Sequence, residues 1–119
     1  MIANLINNEK TDLVELCNIV KKLINDKKYS ESEKLICQAM SDCPHSPEPH
    51  NLMGVLLANM GDQLTAMKHF RAAWALNPAY VPARYNMNRY SEIFNSNIKD
   101  AYVEEDCPYD WESNTYKTM

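Results

Sequence analysis

Displaced by 34 residues, the chain falls on itself over much of residues 13–94. Ile19 lands on Met53 and Met87, Leu23 on Leu57, Ile36 on Phe70, Ala39 on Ala73 and Pro44 on Pro78. A unit this short cannot bury a core alone, so the period predicts helical pairs that stack on their neighbours. Glycine points the same way. Only Gly54 and Gly61 are present among 119 residues, too few for the turns of a β-sandwich or barrel. They are followed by Val55 and Asp62, so neither a dinucleotide fingerprint nor a phosphate loop can be written.

Local signals mark five helices. Thr11, Asp12 and Glu15 read as an N-cap with an acidic first turn, ahead of Leu13, Leu16, Val20, Leu23 and Ile24 at helical spacing; this predicts a helix over about 12–25. Ser30-x-x-Glu33 reads as a capping box before Leu35, Ile36, Ala39 and Met40, and Pro44 stops that second helix. Ser46-Pro47 starts a third, ending near Met60-Gly61. A fourth carries Leu64, Met67, Phe70, Ala73 and Trp74 up to Asn77-Pro78, and a fifth opens at Pro82 with Tyr85, Met87, Arg89, Tyr90, Ile93 and Phe94.

The middle unit, with His50-x2-Met53-Gly54-x2-Leu57, Ala66-x3-Phe70, Ala73 and Pro78, resembles the tetratricopeptide repeat (TPR) signature. Gly54, Ala66, Phe70 and Pro78 are identities; His50 departs from the pattern. The first unit keeps Ala39 and Pro44 but has Val20 and Ser32 where Gly and Ala belong. The resemblance implies an all-α, short TPR-like solenoid of about two and a half repeats. It divides into an N-terminal extension at 1–11, a domain at 12–94 (repeats about 13–46 and 47–80, final helix 81–94) and an acidic aromatic tail at 95–119.

The resemblance also implies function: a non-enzymatic protein–protein interaction module, an adaptor or scaffold binding a peptide in a concave groove. The groove positions it implies are Cys17, Lys21, Asn25, Glu48, Asn51, Val55, Asn59, Tyr85, Arg89 and Glu92, with Tyr85 and Arg89 of the types enriched at hot spots. Members that capture a C-terminal carboxylate carry a Lys, Asn, Asn, Lys, Arg clamp; those places hold Cys17, Lys21, Leu52, Pro82 and Asn86, so that subclass is not expected. Alternatives within binding are a small TPR-type chaperone and a self-associating scaffold.

Other chemistries find less support. Cys37, Cys43, His45 and His50 are zinc-ligand types, but Cys-x5-Cys-x-His-x4-His is no standard finger, so no metal or other cofactor is expected. Pairs such as Cys43 and His45, or Cys37 and His69, lack an orienting acid and oxyanion donors at a recognisable spacing, leaving a thiol or metal enzyme a distant alternative. Asn77-Pro78-Ala79-Tyr80 imitates a peptide-docking motif, although the helix stop explains its proline. With no basic leader, no bilayer-length apolar run and four cysteines, the chain reads as cytoplasmic with reduced thiols.

Charge separates the domain from the tail. Residues 1–94 hold ten acids and ten bases, so the net charge of −4 resides in 95–119, which argues against nucleic-acid binding. Among the tail's acids stand Tyr102, Tyr109, Trp111 and Tyr116. Two readings stay open: a solubilising extension, or a segment docking near Lys21 and Arg89 or on another copy.

Overall fold

The structure, a computed structural model, describes residues 2–91, 100–103, 106–107, 109–110 and 115–116, with backbone alone at 2–11, 91, 109–110 and 115–116. It is an all-α, repeat-like stack of five helices: α1 (Ile2–Asn25), α2 (Tyr29–Asp42), α3 (Pro47–Asn59), α4 (Gln63–Leu76) and α5 (Val81–Ser91). Strands β1 (Tyr109–Asp110) and β2 (Thr115–Tyr116) add a short antiparallel ladder with Tyr109 opposite Tyr116. Short turns join successive helices, so neighbours pack as antiparallel pairs. The central helix, α3, touches each of the other four.

The turns that close the first helix of each pair are built alike. Lys27 (φ 62°) and Gly61 (φ 94°) both take the left-handed conformation, 34 residues apart. After α1, Lys28 N donates to Leu23 O (2.8 Å) and Lys27 N to Ile24 O (2.9 Å). After α3, Asp62 N donates to Leu57 O (2.8 Å) and Gly61 N to Ala58 O (3.1 Å). This paired pattern satisfies carbonyls that a helix end would otherwise leave open.

Three local expectations are corrected. The first helix starts at Ile2, not near Asp12, placing Thr11 inside it, because residues 2–25 contain neither Gly nor Pro to interrupt it. The second helix starts at Tyr29 with Lys28 at its N-cap and no side-chain cap bond, so Ser30 and Glu33 form no capping box. The left-handed turn at Lys27 brings the chain straight into α2, and Ser32 Oγ instead donates to Lys28 O at 2.9 Å. Finally Leu64 is 74% exposed, and Trp74 and Leu35 lie outside the core. Ala66, Phe70 and Ala73 face inward on α4, and a 3.6-residue period turns Leu64 and Trp74 away from them.

The main core gathers Cys17, Val20 and Ile24 of α1, Ile36 of α2, Leu52, Val55 and Leu56 of α3, and Ala66 and Phe70 of α4. Met53, Met67 and Met87 pack around it, while Met60 is exposed. Gly54 opens the space Phe70 fills: a Cβ there would lie 2.6 Å from Phe70 Cδ1 and 2.8 Å from Cζ. In the first unit the same two places hold Val20 and Ile36, both fully buried. A larger residue on the first helix is matched by a smaller one on the second, conserving volume. Ser32, at the place of Ala66, is buried with its hydroxyl bonded to the preceding turn.

Candidate functional site

Residues 100–103 and 106–107 lie along α1, α3 and α5. Buried polar groups make the central contact. Asn51 Nδ2 (α3) donates to Ala101 O at 3.0 Å, and Asn86 Nδ2 (α5) donates to the same oxygen at 2.7 Å. Ala101 N donates to Asn86 Oδ1 at 2.8 Å, and Asn86 Nδ2 also donates to Asn51 Oδ1 at 2.9 Å. Asn51, Asn86 and Ala101 are all fully buried, so these bonds replace water that none of them can reach.

Carboxylates bracket this contact. Asp100 meets Arg89 Nη1 at 2.9 Å, Asn59 Nδ2 at 3.0 Å and the Tyr90 hydroxyl. Asp106 accepts from Lys21 Nζ at 3.0 Å and from its own turn, Tyr102 N at 2.9 Å and Val103 N at 3.3 Å. Between them Tyr102 is buried within the main core cluster, its ring 5.6 Å from Lys21 Nζ. A second small cluster joins Ala101 and Cys107 to Tyr85, with Val81 against it.

The implied groove residues divide on this face. Asn51, Asn59, Lys21 and Arg89 bond the segment, and Tyr85 packs on it. Cys17 and Val55 are buried, Glu48 is half-buried and Asn25 is exposed. Glu92 lies outside the described residues, as does Trp111, while Tyr109 and Tyr116 stand opposite each other on the strand pair.

Several contributors escaped the sequence reading. Asn86 follows Tyr85 and is one place off the 34-residue column of Asn51, so the repeat does not mark it as a groove position. Tyr80 lies 3.5 Å from Tyr102 O and bonds the Cys17 thiol. The Asn77-Pro78-Ala79-Tyr80 run forms a turn in which Ala79 N donates to Asn77 Oδ1 at 3.0 Å. The legible signal was charge: Asp100 and Asp106 oppose Arg89 and Lys21.

Burial governs the electrostatics here. Burial, with Glu48 nearby, pushes the Cys17 thiol up to about 12, leaving almost no thiolate at neutral pH. Burial likewise raises the Tyr80, Tyr90 and Tyr102 phenols, which remain neutral donors. His50 and His69 meet, Nδ1 to Nδ1 at 3.2 Å with stacked rings. Burial lowers both, and His69 is lowered further by His50. Among the described residues no three His, Cys, Asp or Glu side chains gather to hold a metal ion, and no helix is long and apolar enough to cross a membrane.

The chain matches no protein-family model, no curated protein and no solved structure among those compared. The fold and site are those of an all-α helical stack with residues 100–103 and 106–107 held along one face.

Proposed function

We propose that the chain is a TPR-like, non-enzymatic interaction module, an adaptor or assembly scaffold of the cytoplasm that binds an extended peptide along α1, α3 and α5. One observation carries this: Asn86 takes both the N–H and the C=O of Ala101, with Asn51 completing the carbonyl. These bonds recognise a main chain, as a surface receiving peptides must, and side-chain preferences are added by neighbouring groups. The equivalent turns at Lys27 and Gly61, and the exchanged volumes of Val20/Ile36 and Gly54/Phe70, support the repeat character.

Selection of displayed peptides on the immobilised full-length chain tests the reading. Peptides retained by the wild type should bind at least tenfold more weakly to Asn51→Leu/Asn86→Leu. Retention that is indifferent to this pair would refute it.

A further inference from the structure

Resting on the peptide-groove reading, we infer that the outside ligand is an acidic peptide with an Asp-small-aromatic core and a second carboxylate four residues beyond the aromatic. Residues 100–107 are its built-in competitor. Each requirement follows from a contact. At the first position three donors converge on one carboxylate, Arg89, Asn59 and the Tyr90 hydroxyl, a set that a neutral side chain leaves partly unpaired. At the second, Ala101 is completely buried with its backbone clamped on both sides, so a larger side chain has nowhere to go. The third position takes a ring into the core beneath Lys21, whose ammonium lies over it. The second acid turns back to the same Lys21 and caps the turn through Tyr102 N and Val103 N.

Charge placement makes this selective. Lys21 and Arg89 stand two periods apart on one face, with apolar Val55 between them in the same column. A peptide with a single acid, or with the wrong separation, meets only one cation. The Lys21 side chain is 40% exposed, so an incoming carboxylate can reach it before the resident one has left. The resident segment is attached through residues 92–99, and attachment of this kind holds a competitor at an effective concentration in the millimolar range. A free peptide must overcome that advantage, and the intact chain therefore binds it weakly.

The test is a fluorescein-labelled peptide with the sequence of residues 100–107, carrying Cys107→Ser, titrated by anisotropy into full-length wild type and full-length Ala101→Lys. A lysine at this buried position expels the resident segment while every residue of α1, α3 and α5 keeps its identity. Ala101→Lys should bind the peptide at least tenfold more tightly than wild type, and Asp100→Asn or Tyr102→Ala peptides at least tenfold more weakly than the parent peptide. Equal binding to wild type and Ala101→Lys overturns the competition. Equal binding of parent and altered peptides to Ala101→Lys overturns the motif but leaves a peptide groove standing, whereas a folded Ala101→Lys that binds none removes both. If Ala101→Lys loses its helical circular dichroism, recovery on adding the parent peptide supports the inference, since a ligand of the folded state stabilises it, and no recovery overturns it. A wild-type dimer that Ala101→Lys dissociates would place the segment in a second copy and overturn competition within one chain.

Discussion

Replacing Gly54 by alanine isolates the contact on which the second helical pair closes. The added methyl would stand 2.6 Å from Phe70 Cδ1, inside any real carbon–carbon contact. Phe70 cannot withdraw, because it is fully buried and stacked on Tyr90 with ring centroids 5.6 Å apart. Overpacking of this kind costs about 1–3 kcal/mol, and the lack of room places it at the upper end. Alanine returns about 1 kcal/mol of helix propensity, for a net loss of about 2 kcal/mol. In a chain of this size that lowers Tm by roughly 6–10 °C. The Val20 and Ile36 pair indicates the remedy: in a Phe70→Ile background the methyl has space, and Gly54→Ala becomes neutral or stabilising. Phe70→Ile alone costs about 2 kcal/mol in lost burial. The double-mutant cycle should therefore give a coupling of about 2–3 kcal/mol, read from urea unfolding followed by far-UV circular dichroism. A Gly54→Ala chain within about 0.5 kcal/mol of wild type, or strictly additive effects, would refute the packing argument.

The turns offer a matched pair: Lys27→Gly removes a left-handed side chain and should stabilise by about 0.5–1 kcal/mol, while Gly61→Ala should destabilise by a similar amount in urea melts. Lys28→Asp should add the cap that Asp62 provides to α4 through Thr65 N, raising stability by about 0.5–1 kcal/mol; no gain would contradict the equivalence of the two turns. Folded His50 and His69 sit below the ordinary imidazole pKa of about 6.5, so the unfolded chain takes up protons that the folded one refuses. Their stabilisation is present above that pH and lost as pH falls toward the folded pKa values, so a His50→Phe/His69→Phe chain should lose less stability than wild type between about pH 7 and 5. Thiol titration should label exposed Cys37 first and spare Cys17 and Cys107, both 1% exposed. In Ala101→Lys both buried thiols should open to reagent, and continued protection would mean the segment had not left.

What the residues made legible was the helical punctuation and the charge. Pro47, Pro78 and Gly61 fall at helix boundaries for reasons written in their own backbones, and Lys21 and Arg89 stand on the same face as Asp106 and Asp100. What stayed hidden depended on context. Nothing local marks Lys27 as left-handed, since lysine adopts that conformation only when the surrounding helices require it, and the start of α2 moves with it. Asn86 looks like an ordinary polar helix residue until Ala101 arrives beside it from fifteen positions away. The helical period placed Leu64 and Trp74 on an apolar stripe, but Ala66 and Ala73 set how closely α4 approaches and so which face is covered.

The Lys21–Asp106 pair joins residues 85 positions apart, from the first helix to the segment beyond the last helix. In a linear stack each layer touches only its neighbours, so end layers can melt while the middle stays ordered. Here Tyr102 and Asp106 tie α1 to the last layer, and neither end can fray without breaking contacts at the other. Such a chain should unfold in a single cooperative transition, whereas expelling the strap would let the layers melt separately and broaden the transition.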